Sequence, residues 1–261
     1  MFYAMAENKI DLRGYRFEHR LEDIQTLNER AMRGELHISA ISIHAYAYVT
    51  ERYALLPCGS SMGDGYGPMI VASNESHIDN ARGKTIAIPG KMTSAFLALQ
   101  LFLGNDFDHV VVPFDQIFDA VRKGKADCGL IIHEGQLTYA KAGFHKIVDL
   151  GEWWKGKSGL PLPLGGNVVR KDIPPPVRRD VSEIIRESID YGLTHRDEAV
   201  GYSVAYARDM NAQLATKFIG MYVNEFTRDY GDIGRAAIRK FLGDAHDRNY
   251  INVPIEVEFV E

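Results

Sequence analysis

The side chains best able to do chemistry in this sequence sit where short apolar runs break off. His133 ends the run Gly129-Leu130-Ile131-Ile132, which is short and unbroken in the manner of a strand buried on both faces. The carboxyl end of such a strand faces the ligand crevice of an open α/β sheet, and an imidazole there exchanges a proton near neutral pH. The plain reading is a histidine that closes the strand and bonds backbone. Ser42 stands at a similar junction, after the strand pattern Leu36 to Ile41, and is expected to cap a helix from Ile43 to Val49. A third junction follows Lys84 to Gly90, where a helix from Lys91 to Leu101 opens on Thr93 and Ser94. Free N–H groups and the helix dipole favour an anion at such a start. Ordinary capping by either hydroxyl explains the pair equally well.

Other chemistries fall away on spacing. Gly59-Ser60-Ser61-Met62-Gly63 fits the G-x-S-x-G of a nucleophile elbow. That motif needs a helix after the serine, whereas glycines here lead into a strand pattern, Met69 to Ala72; a flap or tight turn is the expectation. His133-Glu134 is not the start of H-E-x-x-H, because the last position is Leu137. Glu134 need not touch the imidazole, since neighbours on a strand alternate faces. No His, Cys and carboxylate group has metal-ligand spacing. Cys58 and Cys128 lie far apart in apolar surroundings, as buried thiols in a reducing compartment do. An acid/base site without metal or cofactor is what remains.

Strand and helix patterns alternate up to about residue 172, after which helices dominate. Arg16 to His19 reads as a strand, as do His109 to Phe114 and Ala126 to Ile132, and Asp115 to Lys123 reads as a helix. The Pro- and Gly-rich segment Gly159 to Gly166 reads as a crossing between lobes that leads into a strand. Helices are expected over Val177 to His195, Arg196 to Arg208, Gln213 to Phe226 and Ile233 to Arg248. The order predicts an α/β protein of two lobes, residues 1–76 with 167–261 and residues 77–166, with the last helices folded back onto the first lobe and the ligand cleft between. The three junctions would then converge on that cleft.

Composition bounds the partner. A net charge of -5 without a long basic run argues against nucleic acid. No apolar stretch approaches the roughly 18 residues of a membrane span, and the first residues lack the basic and apolar regions of a secretory signal. A cytoplasmic protein with a small-molecule partner is expected; oligomeric state is not legible.

Four segments carry a resemblance: Gly65-Tyr66-Gly67-Pro68, Ile131 to Tyr139, Asp149-Leu150-Gly151-Glu152-Trp153-Trp154, and Gly159 to Arg170. Together with Tyr222 to Thr227 they resemble the 1,4-dihydroxy-6-naphthoate synthases of the futalosine route to menaquinone. The resemblance implies a periplasmic-binding-protein-like fold of type 2 used as a cytoplasmic lyase, which cleaves cyclic dehypoxanthine futalosine without a cofactor. It implies His133 as proton acceptor, and substrate contacts from Ala40, Ile41 and Ser42 and from Ser94 and Ala95. The sister chorismate dehydratases and a non-catalytic binding protein of the same fold are the alternatives. Members of the family begin with a strand and a Ser-Pro-Cys-Pro-Asn-Asp-Thr-like loop, while this sequence starts inside the following helix. A polypeptide beginning at Met1 is therefore expected to be weakly stable and poorly active.

Overall fold

The computed structural model describes residues 1–73, 81–204 and 212–261. Its first elements are α1 (Tyr3–Ala6), α2 (Ile24–Met32), β1 (Ile38–Ser42), α3 (Ile43–Tyr46), β2 (Tyr53–Leu55) and β3 (Ser61–Gly63). There follow β4 (Met69–Ser73), β5 (Thr85–Ile88), α4 (Ser94–Leu103), β6 (Asp108–Val111), α5 (Ile117–Arg122), β7 (Cys128–Ile131), α6 (Gly135–Thr138), β8 (Phe144–Asp149) and α7 (Leu150–Ser158). The chain then returns through β9 (Leu162–Arg170) to α8 (Pro175–Thr194), α9 (Arg196–Val204), α10 (Ala212–Tyr222), α11 (Glu225–Arg228) and α12 (Gly231–Asp247).

Two sheets result. β9 is the hub of the first, pairing antiparallel with β1, β2 and β3. The second has the order β6-β5-β7-β4-β8, with β5 parallel to both β6 and β7 and β4 antiparallel to its neighbours. A division at residue 76 leaves Met69–Ser73 with the first lobe, yet its ladder bonds go to β7 and β8. The apolar pattern of β4 identifies a buried strand, not the sheet that it joins. Residue 76 itself lies outside the described residues, as do residues 205–208 of the helix expected over Arg196 to Arg208.

Local expectations shift where tertiary contacts outbid pattern. Arg16 to His19 forms no strand; Phe17 instead packs into the apolar cluster of Val181, Ile184 and Ile185 of α8, where no strand edge is offered. The helix expected to reach Val49 ends at Tyr46 and tightens into i→i−3 bonds at Ala47, Tyr48 and Val49. The turn expected after Cys58 contains β3. Gly165 and Gly166, expected before a strand, lie within β9. A Cβ on Gly166 would stand 2.3 Å from the Tyr230 hydroxyl and 3.1 Å from Leu55, so the bare backbone lets α12 close over the sheet.

One apolar core runs through both lobes. It joins Ile41, Leu55 and Val168 of the first sheet to Ile70, Ile86, Ile88 and Leu130 of the second, with Leu97 of α4 and Phe241 of α12 between them. Each such fully buried side chain contributes about 1.5–3 kcal/mol. Cys58 and Cys128 are buried and unpaired, and burial pushes their thiols up to about 12 and about 11, so both pack as small apolar groups. Among the described residues no helix is long and apolar enough to cross a membrane.

The crossing between the sheets is backbone against backbone. A Cβ on Gly151, in the first turn of α7, would lie 2.0 Å from the carbonyl carbon and oxygen of Tyr66. Gly151→Ala is therefore expected to destabilise by about 2–4 kcal/mol, since neither segment can yield by rotamer change. A urea midpoint equal to that of the parent would show that the crossing relaxes at no cost.

Candidate functional site

The topology brings three exits to one end of the second sheet. β5 and β7 are parallel neighbours, so the loop to α4 and the turn at His133 leave the same edge. Asp149 ends β8 opposite Met69, which also pairs with Ile131, and so belongs to that edge too. Ser42 ends β1 of the other sheet and reaches these groups through side-chain bonds.

Ser42 does not cap α3 with its side chain. Asn28 of α2, fully buried, occupies it: the amide oxygen accepts from Ser42 N–H at 2.8 Å, and the amide nitrogen donates to Ser42 Oγ at 3.0 Å. The same nitrogen lies 3.4 Å from the Met92 carbonyl, two residues before Ser94. The cap comes from the opposite lobe, because Ser94 Oγ accepts the N–H of His44 at 3.1 Å. Thr93 caps its own helix, accepting from Phe96 N–H at 3.2 Å. Each hydroxyl that sequence reading left open thus has a partner, and the partners tie the two lobes together.

Ser42, Ser94, Ile41 and Ala95 are all buried, while Ala40 is half-buried. The first N–H groups of α4 have no carbonyl within the helix. Asn28 and His44 were missed. Neither lies at the end of an apolar run, and only folding brings them to Ser42 and Ser94. His44 Nδ1 faces the Thr93 carbonyl at 3.3 Å, Nε2 is sealed without a partner, and burial pushes the imidazole down to about 4.

His133 stands past the end of β7, not within it, with φ at +54°. Histidine is among the residues that tolerate this left-handed backbone. The kink ends the strand's alternation, so opposite faces no longer follow for His133 and Glu134; Glu134 is the N-cap residue of α6. The His133 ring packs edge-on against Phe114, centroids 4.9 Å apart. It is half-buried by accessible surface yet enclosed by protein at longer range, as a group in a cleft is. That desolvation pushes the imidazole down to about 4, opposed by the charge of Asp23 from the other lobe. Asp23 is exposed, and its carboxylate caps α2 by accepting from Gln25 and Thr26 N–H. Burial raises and these bonds lower its pKa, with a net shift down, so it is ionised at neutral pH.

A second polar group adjoins the turn. Gln136, buried three residues after His133, donates its N–H to the His133 carbonyl at 3.2 Å. Its side-chain oxygen accepts from Tyr222 of α10 at 2.6 Å. The Tyr222 ring stands edge-on to Tyr66, centroids 5.5 Å apart. Asp149 is buried and accepts from Gly151 and Glu152 N–H; burial nevertheless pushes its carboxyl up to about 6.

Two α/β lobes, each around its own sheet, give the chain the fold seen in solute-binding proteins. Solved structures agree on the fold. A ligand-binding component of an ABC-type import system from Staphylococcus aureus superposes with a TM-score of 0.67 at 12% identity, covering 96% of this chain and 89% of its own. The periplasmic aliphatic sulphonate binding protein of Escherichia coli gives 0.60 at 12%, covering 89% and 77%.

With that fold, the chain belongs to the menaquinone biosynthesis family, whose sequence profile matches residues 1–247. A 1,4-dihydroxy-6-naphthoate synthase of Thermus thermophilus is 36% identical over 95% of this chain and 90% of its own length. One from Streptomyces coelicolor is 39% identical over 84% and 79%. A crystal structure of a protein from Archaeoglobus fulgidus is 42% identical, with a TM-score of 0.91 over 96% of this chain and 93% of that one.

Proposed function

We propose that the chain is a cytoplasmic carbon–carbon lyase that cleaves cyclic dehypoxanthine futalosine to 1,4-dihydroxy-6-naphthoate, with His133 as general base. The observation that supports this most is the half-buried imidazole at the exit of β7, held neutral by desolvation, on the strand next to β5 whose following loop leads to α4. The neutral ring takes the proton of a substrate hydroxyl. The resulting alkoxide collapses to a carbonyl as the adjacent carbon–carbon bond breaks, and the released electron pair completes the naphthalene ring system. The free N–H groups at Ser94 and Ala95 would hold the substrate carboxylate. This chemistry requires neither metal nor redox cofactor.

The test is incubation of purified protein with cyclic dehypoxanthine futalosine, the naphthoate being followed by absorbance; no product, with chorismate dehydrated instead, would sink the reading. The pH dependence tests the base. A histidine lowered to about 4 in the free protein is unprotonated above that pH. kcat/KM should therefore hold level from neutral pH down to about pH 5 and fall only towards pH 4. A bound carboxylate favours the imidazolium, so the acid limb of kcat should lie at higher pH. An acid limb of kcat/KM at the ordinary histidine value of about 6.5 would contradict a desolvated base.

A further inference from the structure

At the far end of the first lobe lies a cavity of about 650 Å³, bounded by the start of α8, the outer face of α12 and the segment 256–261. It is separate from the cleft. Gly165 of β9 pairs with Ser42 at the cleft end, and Lys171 follows the opposite end of the strand, about 20 Å away at the rise of a β-strand. Lys171, Arg178, Arg179, Arg235 and Arg239 line this cavity in a chain whose net charge is -5.

Three carboxylates, Glu256, Glu258 and Glu261, share the wall. Glu258 is taken up by Lys171 at 2.5 Å, with Arg178 3.8 Å away. Among the described residues no carboxylate lies within ion-pair distance of Arg179, Arg235 or Arg239. Arg235 and Arg239 stand over the Phe259 ring instead, 4.2 and 5.9 Å from its centroid. The Arg178 Nε–H is buried without an acceptor. Guanidinium forks match phosphate oxygens two at a time, and the positive end of the twenty-residue α8 opens on the same space. The volume lies within the usual range of ligand pockets.

We propose that this cavity binds a phosphate-bearing small molecule, held by Arg178, Arg179, Arg235 and Arg239, at a site independent of the inter-lobe cleft. Calorimetric titration of the full chain at low salt, with pyrophosphate and with ATP, tests it. Saturable binding of either is expected; equal affinity for the two assigns the contacts to the phosphates, and tighter ATP adds the nucleoside to them. Arg179→Glu, a reversal on an exposed side chain, should weaken binding about tenfold or more, and Arg235→Ala with Arg239→Ala more still. Turnover at the cleft should not change. The proposal falls if neither probe saturates below roughly 5 mM, the weak end of specific affinity, or if sulfate binds as tightly as pyrophosphate. It falls equally if Arg179→Glu binds like the parent, a result that stands even where loss of the cations over Phe259 unfolds the double variant.

Discussion

His133→Asn should lower kcat by about 10²–10⁴ while leaving KM within a few-fold, the loss typical of a removed general base. Asparagine is the right replacement because it adopts the left-handed backbone at φ +54° as readily as histidine does. The turn into α6, the Gln136–Tyr222 bond and the substrate pocket should therefore persist, and only the proton acceptor is lost. Stopped-time assays of naphthoate formation beside a thermal melt check both halves. His44 serves as the comparison, since it too is pushed down to about 4. Its Nε2 is sealed without a partner in a buried side chain whereas His133 is only half-buried, so the two histidines differ in access from outside. Full turnover in His133→Asn would remove the assignment.

Asn28→Ala should produce the next largest change, and in two observables together. The side chain meets the N–H and hydroxyl of Ser42 and the carbonyl of Met92, all from a fully buried position. Its removal leaves Ser42 N–H without its partner and a small void, at a cost of about 2–4 kcal/mol in stability. Because Ser42 and the loop before Ser94 would then move apart, kcat/KM should fall roughly 10- to 100-fold, mostly through KM. Asn28→Asp retains the acceptor for Ser42 N–H and loses the donor, so an intermediate effect is expected. A merely structural role predicts lower stability with normal KM well below the melting point, and steady-state kinetics at two temperatures separates the two outcomes.

Both variants also mark the limit of what spacing in a sequence can convey. Ser42, Ser94 and His133 could be picked out because each follows a short apolar run, and a buried strand must surrender its polar side chains at its ends. Asn28 and Asp23 lie on or before an amphipathic helix, where a polar residue is unremarkable. His44 lies inside an Ala- and Tyr-rich stretch that reads as core. Nothing local marks Asn28 and His44, because what they do depends on partners 14, 64 and 49 positions away in the chain.

The order of apolar runs along this chain was enough to establish alternating strands and helices, two α/β lobes and a helical last third, because burial and backbone pairing act on local pattern. The segments around His133, Asp149 and Gly159 to Arg170 were distinctive enough to point to the menaquinone family. Pairing between distant segments decided the rest: that Met69–Ser73 joins the second sheet, that β9 is the hub of the first, and that Ser94 rather than Ser42 caps α3. A strand's pattern states which face must be buried but not against which neighbour. A hydroxyl's position states that it needs a partner but not from which lobe. Those choices are made by the packed chain, in which one apolar cluster reaches into both sheets and the buried amide of Asn28 finds its partners on two different elements.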